Sequence, residues 1–248
     1  MRHNSIGERT NSKQMHECGS FVNPQAKLFA AGSGKARSAN EPTRLCEQKR
    51  FQRLIKQVID IFGSGVLILL LLPVFFLLAL LIRCVDGAPV IYRRRVLGRR
   101  RSFDAYKFRT MVPDADAMLT ADATLHDAFI KQFKLKSDPR VTRIGAWLRK
   151  YSLDELPQLF NVVIGQMSLV GPRIITGPEL QKYGPYQELL LAVRPGLTGY
   201  WQVQGRQEVS YAERVRMDVY YITHWSLGMD LRILMQTPLR VILGEGAY

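Results

Sequence analysis

The apolar run from Ile61 to Ile82 constrains the fold of this chain more than any other feature, because it contains no charged residue. As an α-helix, its roughly 22 residues would extend about 33 Å, which just covers a hydrocarbon core of about 30 Å. Pro73 lies near the middle of the run, where a proline removes one backbone hydrogen bond and kinks a helix. The sequence therefore predicts a membrane helix that bends at Pro73.

Basic residues flank the apolar run on both sides: Lys49, Arg50, Arg53 and Lys56 precede it, and Arg83, Arg93, Arg94 and Arg95 follow it. A spanning helix normally has its excess of lysine and arginine on the cytoplasmic side only. Basic residues on both sides favour a re-entrant helix hairpin that enters one leaflet and returns. A kinked helix that spans the membrane is the open alternative. The arginines at 93–95 and 99–101 would bind anionic membrane lipid, each contributing about 1 kcal/mol.

The apolar run divides the chain into three predicted segments. Residues 1–45 are rich in Ser, Asn, Gly, Ala and Lys, and they predict a disordered polar tail because they bury too little apolar surface to offset chain entropy. Residues 46–86 predict an amphipathic helix followed by the re-entrant membrane helix. Residues 87–248 predict a cytosolic α+β domain that is mostly helical. Short strands are expected near residues 89–92 and 102–111, and helices at 114–133, 144–151, 209–224 and 230–243.

The charge and the cysteine content exclude several classes of protein. A net charge of +14 and a pI of about 10.0 indicate anionic partners. We expect no nucleic-acid binding, because the chain has neither a paired Cys/His finger nor an RRM signature. Three scattered cysteines and four histidines without HExxH spacing argue against a disulfide framework and a zinc site. Phosphates and acidic lipids remain the favoured partners.

Two adjacent carboxylates, Asp154 and Glu155, stand before Pro157 and an apolar helical stretch. Proline is harmless only in the first turn of a helix, and the Ser152-x-x-Glu155 spacing resembles a capping box, so the helix is predicted to begin near Leu153 or Asp154. The helix dipole would then keep Asp154 ionised, as a nucleophile must be. In the alternative interpretation, the two carboxylates only cap the helix.

Basic residues are denser around this pair than helix capping requires: Lys107, Arg109, Arg140, Arg143, Arg149 and Arg173. Phosphoryl transfer needs cations to neutralise the phosphate oxygens, usually Mg²⁺ held by a carboxylate together with arginine or lysine. A carboxylate can also attack phosphorus and carry a covalent intermediate. The cluster therefore predicts phosphoryl chemistry, with Asp154 as the nucleophile and Glu155 as the metal ligand.

The chain resembles the bacterial monotopic phosphoglycosyl transferases over about residues 50–248. The resemblance rests on these motifs in order: PVIYRRRVLGRR, YKFRTM, DPRVTRIGAWLRKYSLDELPQLFNVVIGQMSLVGPR, RPGLTGYWQVQGR, DVYYITHWSLGMDLRIL and GAY. Three positions depart from the family pattern: Leu72 stands where a serine is often found, Ile174 follows Gly-Pro-Arg, and Ala88 stands before Pro-Val. None of them alters the carboxylate pair.

The resemblance implies a ping-pong reaction at the cytoplasmic face of a bacterial inner membrane. Asp154 would attack the β-phosphate of a UDP-sugar and expel UMP, and undecaprenyl phosphate would then accept the sugar phosphate, which initiates polysaccharide assembly. Glu155 would help to hold Mg²⁺, and Pro73 would be the break in a re-entrant helix. The identity of the sugar and the formation of a homo-oligomer are left open.

Two further interpretations stay open on the sequence alone. The stretch Arg194–Arg206 could line the nucleotide-sugar site, with Arg194 or Arg206 on a phosphate, or it could be a packed turn held by Trp201. A membrane-tethered basic scaffold without catalysis is the competing function, and it predicts that Asp154 is dispensable. Direct glycosyl transfer would release UDP instead of UMP.

Overall fold

In the computed structural model, the described residues are 41–87, 89–99, 101–132, 135, 138–204 and 209–243. The predicted tail up to residue 40 lies outside them. The chain divides into two compact units, residues 1–54 and residues 55–248. All packing described below belongs to the second unit, which is mostly helical with a few short strands, as the sequence predicts.

The apolar run belongs to one long helix, α1, which spans Glu41–Val85. The described helix thus includes five residues before the predicted start at 46. The helix includes Pro73 without an interruption. The segment Phe51–Val85 is long and apolar enough to cross a membrane, and only 11% of its most apolar window is buried inside the protein.

An antiparallel hairpin follows α1. Strands β1 (Ile91–Leu97) and β2 (Ser102–Phe108) pair so that Ile91 lies opposite Phe108 and Leu97 opposite Ser102. A second pair is parallel and short: β3 (Ser168–Val170) runs beside β4 (Gly196–Thr198). Strands β1 and β2 lie close to the sequence predictions at 89–92 and 102–111, whereas the parallel pair of β3 and β4 is not predicted.

The remaining elements are helices and two 3-10 turns. The α-helices are α2 (Ala115–Ala121), α3 (Ala123–Gln132), α4 (Arg143–Lys150), α5 (Gln158–Val163), α6 (Gly177–Leu180), α7 (Gln187–Leu191), α8 (Tyr200–Gln204), α9 (Tyr211–His224) and α10 (Leu227–Leu243), and the 3-10 turns are Leu153–Glu155 and Gln181–Tyr186. The predicted helix at 114–133 is split at Asp122, whose Oδ1 accepts the N–H groups of Thr124 and Leu125 and so caps α3.

The apolar core includes one face of α1. Leu78 and Ile82 are buried against Phe108 of β2 and Leu148 of α4. Closer to the start of the same helix, Ile68, Leu71 and Phe75 pack on a core cluster that is centred on α5, β2 and β3. The opposite face of α1 is apolar and exposed, as at Phe62, Leu69 and Phe76. The long apolar helix α1 is therefore also a structural element of the globular unit.

Polar contacts fix the start of this packed region. Asp60 Oδ1 accepts the Leu169 N–H at 3.0 Å, and its Oδ2 accepts the Ser168 hydroxyl at 2.7 Å. Lys56 Nζ donates to Asp230 Oδ2 at 2.7 Å and to the Val170 carbonyl at 2.9 Å. These contacts tie α1 to β3 and α10. At the other end, Asp86 accepts the Thr142 hydroxyl at 2.7 Å, so both ends of the apolar run contact the same unit.

Candidate active site

Asp154 and Glu155 lie on the 3-10 turn Leu153–Glu155, and α5 begins only at Gln158, after Pro157. The predicted start near Leu153 is therefore confirmed only for the 3-10 turn, because the α-helix begins later. The predicted capping box is wrong, because Ser152 makes no side-chain cap. Ser152 instead adopts a left-handed conformation with φ of 54°, which costs a non-glycine residue about 1 kcal/mol. This backbone reversal turns the two carboxylates towards β2.

Lys107 of β2 connects the two carboxylates. Its Nζ lies 2.5 Å from Glu155 Oε1 and 3.9 Å from Asp154 Oδ2. Asp154 is only 7% exposed. Burial raises the pKa of Asp154 above its ordinary value, Lys107 and Arg149 oppose this, and the neighbouring Glu155 charge adds to it. The structure thus corrects the prediction that a helix dipole keeps Asp154 ionised, because burial dominates and the nearby cations supply the counter-charge.

The pKa of Glu155 moves in the opposite direction. Burial alone would raise it, but the Lys107 charge and hydrogen bond, together with Arg173 and Arg94, hold the pKa below its ordinary value. The pKa values of the two adjacent carboxyl groups therefore diverge, since Asp154 keeps its proton more readily and Glu155 loses its proton more readily. Such a divergence is typical of paired carboxylates that have different chemical tasks.

Both carboxylates line a cavity of about 1160 Å³. Five of the predicted phosphate-binding residues line the same cavity: Lys107, Arg109, Arg140, Arg149 and Arg173. Leu67 of α1 also contributes to its wall, as do Leu234 and Val241 of α10. The cavity therefore combines a basic region with an apolar wall to which α1 contributes.

The cations of the cavity have different partners. Arg140 makes a two-pronged contact with Asp138, at 2.8 Å and 2.7 Å, and this carboxylate neutralises its charge. Arg109 donates from Nη2 to the backbone carbonyls of Asp86 and Gly87 and so secures the end of α1. Arg149 donates from Nε to the Thr110 hydroxyl at 2.9 Å. Of the arginines predicted around the carboxylate pair, Arg109, Arg143, Arg149 and Arg173 have no carboxylate within 4.0 Å in the described part of the chain.

Arg194 does not line the cavity, and its Nη2 donates to Gln57 Oε1 on α1 at 3.2 Å. Arg206 lies outside the described residues, so its predicted role stays a prediction. The stretch around Trp201 fits both interpretations of the sequence. It packs tightly, since a Cβ on Gly196 would lie 2.1 Å from the Gly171 nitrogen, and Trp201 also lines the cavity.

Arg214 of α9 is a cavity residue that the sequence analysis missed. Its guanidinium lies 4.6 Å from the centre of the Trp201 ring, and that of Arg173 lies 5.0 Å from the same centre. A signal was available in the helical spacing, because Arg214 shares the buried face of α9 with Val215, Asp218 and Tyr221. A charged residue on a buried face is unusual and requires a partner.

The donor set of the carboxylate pair suits Mg²⁺. Among the described residues, no group of three or more His, Cys, Asp or Glu side chains could hold a metal ion by itself. Mg²⁺, however, usually binds one or two carboxylates and completes its shell with water and substrate phosphates. The two carboxylates on the 3-10 turn fit that mode of binding, in which the substrate supplies the remaining ligands.

Comparisons with known proteins identify a matching family and similar chains. The model of the family described as "Bacterial sugar transferase" matches residues 51–244. The "UDP-galactose-lipid carrier transferase" of Erwinia amylovora is 43% identical over 204 residues, which cover 81% of this chain and 43% of that protein. The "Exopolysaccharide production protein ExoY" of Rhizobium meliloti (strain 1021) is 42% identical over 221 residues, which cover 86% of this chain and 98% of that protein.

A third relative, the "Undecaprenyl-phosphate galactose phosphotransferase" of Salmonella typhimurium (strain LT2), is 42% identical over 205 residues. The matched region covers 81% of this chain and 43% of that protein. The chain thus spans less than half the length of two of these relatives and nearly the whole length of the third.

Proposed function

This chain belongs to the bacterial sugar transferase family, and we propose that it transfers a sugar 1-phosphate from a UDP-sugar to undecaprenyl phosphate and releases UMP. The observation that carries the proposal is the pair of buried Asp154 and half-buried Glu155 beside Lys107, in a basic cavity that Leu67 of α1 also lines. The names of two relatives support it, since they contain UDP-galactose, a lipid carrier and undecaprenyl phosphate. The product would initiate polysaccharide assembly.

In the first step, the Asp154 carboxylate attacks the β-phosphorus of the UDP-sugar. A bond forms between an Asp154 oxygen and phosphorus, the bond from phosphorus to the bridging oxygen breaks, and UMP leaves with that oxygen and its electron pair. Two features suit Asp154 to this task. Its burial removes water from the attacking oxygen, and Lys107 and Arg149 place positive charge nearby.

In the second step, a phosphate oxygen of undecaprenyl phosphate attacks the same phosphorus and expels the Asp154 carboxylate. The product is a sugar linked to the lipid through a diphosphate, and Asp154 returns to its starting form. Leu67 and the α10 side chains Leu234 and Val241 give the prenyl chain an apolar path into the cavity. Because α1 is the membrane helix, this path leads from the bilayer to Asp154.

We assign Mg²⁺ to Glu155, with the donor phosphates as its further ligands. When bound, the ion supplies charge neutralisation on the phosphate oxygens. Lys107 orients the Glu155 carboxylate through its 2.5 Å contact, and Arg149 provides fixed positive charge on the side of Asp154.

For the membrane, we propose that α1 enters one leaflet and that the globular unit lies on the cytoplasmic face of the inner membrane. The support is the packing of α1: Asp60 binds Leu169 and Ser168, and Asp86 binds Thr142, so one unit holds both ends of the apolar run. A helix that crossed the bilayer would carry these two ends to opposite sides. Basic residues flank both ends as well.

Cysteine labelling tests this arrangement. One variant keeps Cys18 as its single cysteine, and another carries only Asp127→Cys, at an exposed position of α3. A membrane-impermeant maleimide should label neither variant in intact spheroplasts and both after lysis. Labelling of only one variant from the periplasmic side would show that the helix spans the membrane.

The activity test measures UMP release from a panel of UDP-sugars, with detergent-extracted protein, Mg²⁺ and undecaprenyl phosphate. Wild type should release UMP from at least one donor, Asp154→Asn should release none, and the exposed control Asp127→Asn should match wild type. Intact-mass analysis without acceptor should show a phosphosugar adduct on wild type only. Full activity of Asp154→Asn would refute the nucleophile assignment, and UDP release would indicate direct glycosyl transfer. A wild type that is inactive with every donor would support the scaffold alternative.

A further inference from the structure

Three buried N–H groups around one aromatic ring have no acceptor within the described structure. They are Nε of Arg173, Nε1 of Trp201 and Nε of Arg214. Trp201 is 5% exposed and Arg214 is 8% exposed, and both line the cavity that holds the carboxylate pair, as does the half-buried Arg173. Buried donors without a partner are rare, and each costs about 1–3 kcal/mol. Three of them at one place indicate a ligand that supplies acceptors only.

The electrostatics of this cluster also require an anion. No described carboxylate lies within 4.0 Å of either guanidinium. The nearby Asp218 has both oxygens engaged, one by the Tyr183 hydroxyl at 2.7 Å and the other by the Arg173 backbone N–H at 3.2 Å. Arg214 is buried and Arg173 is half-buried, and two such positive charges without a counter-ion are unfavourable, because desolvation is not offset by a partner. A bound anion would provide that partner.

The fold brings these donors together at one edge of the parallel strand pair. Arg173 follows β3, and Trp201 follows β4 at the start of α8, so both leave the carboxyl ends of neighbouring strands. Close backbone packing fixes this edge, since a Cβ on Gly199 would lie 2.4 Å from the Gly171 carbonyl oxygen. Arg214 reaches the same place from α9, and its guanidinium also lies 5.6 Å from the Tyr211 ring.

The cluster and the carboxylate pair line the same cavity but are served by different cations. Lys107 is the lysine beside both carboxylates, at 2.5 Å and 3.9 Å. The charge of Arg173 lowers the pKa of Glu155 without a hydrogen bond between the two. Arg214 and Arg173 both contact the Trp201 ring. In an in-line displacement, the leaving group departs on the side opposite the nucleophile. The leaving phosphate therefore needs a cation group other than Lys107, and the arginines at the Trp201 ring are such a group in the same cavity.

We propose that Arg214, together with Arg173 and the indole N–H of Trp201, binds the phosphate of the departing UMP. The assignment rests on the proposed function, because that reaction makes the nucleotide phosphate the leaving group. Arg214 and Trp201 supply N–H donors to non-bridging oxygens whose charge increases as the phosphorus–oxygen bond breaks. The cluster therefore lowers the barrier for departure and makes UMP a product inhibitor.

The test measures UMP and uridine binding by calorimetry on detergent-solubilised, full-length protein with Mg²⁺. Arg214→Gln should weaken UMP binding by about tenfold to a hundredfold, as expected for the loss of a charged hydrogen-bond donor, and should leave uridine binding unchanged. Arg216→Gln is the matched control, since Arg216 lies two residues away on α9 and is exposed. Trp201→Phe keeps an aromatic ring without the N–H group and should weaken UMP binding to a smaller extent.

Unchanged UMP affinity in Arg214→Gln would overturn the assignment, and so would an equal loss of uridine affinity, because the arginine would then not act on the phosphate. If thermal unfolding shows that Arg214→Gln does not fold, Trp201→Phe decides in the same way. Asp154→Asn should bind UMP like wild type although it releases none from a UDP-sugar. Protein that binds UMP through Arg214 but never forms it would contradict the transfer reaction and leave the anion site in place.

Discussion

Gly145→Ala tests how closely the active site depends on helix α4. Gly145 faces the backbone of Thr110, and a Cβ at this position would lie 2.0 Å from the Thr110 carbonyl oxygen. An ordinary carbon–oxygen contact begins near 3.3 Å, so α4 and Thr110 would have to separate by more than about 1 Å. Overpacking of this kind costs about 1–3 kcal/mol, and the higher helix propensity of alanine offsets up to about 1 kcal/mol.

We expect Gly145→Ala to lose about 2 kcal/mol of stability, which lowers the melting temperature by about 4–8 °C in a chain of this size. Activity should fall further, by about 100-fold in kcat/KM, because α4 carries Arg149 and its 2.9 Å contact with Thr110 would break. Differential scanning fluorimetry and the UMP-release assay measure the two effects. Gly228→Ala is the control, since a Cβ there meets nothing within 4 Å. Wild-type melting and activity in Gly145→Ala would refute the steric argument.

Three further substitutions test separate features of the structure. Burial raises the pKa of Asp218 to about 6, against the hydrogen bonds from Tyr183 and Arg173, so the folded state binds this proton more tightly than the unfolded state. The free energy of unfolding of wild type should therefore fall by about 3 kcal/mol as the pH rises from about 4 to about 6. The stability difference between wild type and Asp218→Asn, measured in melting curves, should shrink over the same interval. A difference that stays constant with pH would contradict this. Ser152→Gly should raise stability by about 0.5–1 kcal/mol without loss of activity, because it relieves the left-handed backbone. Leu148→Ala should cost about 2–5 kcal/mol, since this side chain is fully buried, and an unchanged melting temperature would show that α4 does not pack as described.

The sequence was sufficient for the features that depend on local patterns. The charge-free run predicts α1, and Ser210 with Glu213 forms a capping box at the start of α9, where the helical pattern predicts a helix. The sequence also places Asp154 among cations, and all six predicted there share its cavity.

The features that the sequence could not supply depend on contacts between distant residues. Lys107 and Glu155 are 48 positions apart, so no local pattern indicates that Glu155 would bind a strand lysine instead of capping a helix. Ser152 adopts a conformation that usually requires glycine or asparagine, and only the surrounding structure enforces it. Arg194 donates to Gln57, which lies 137 positions earlier in the sequence. Arg194 therefore does not line the cavity.

The packing of Leu78 and Ile82 into the globular core has a practical consequence for anyone who wishes to handle this protein in water. Removing α1 to obtain a soluble fragment would uncover Phe108 and Leu148 and would leave the Leu169 amide without its Asp60 acceptor. Solubility cannot therefore be gained by truncation without loss of the fold. Replacing exposed side chains on the outer face of α1, such as Leu69 and Phe76, with polar residues is the design that leaves these core contacts in place.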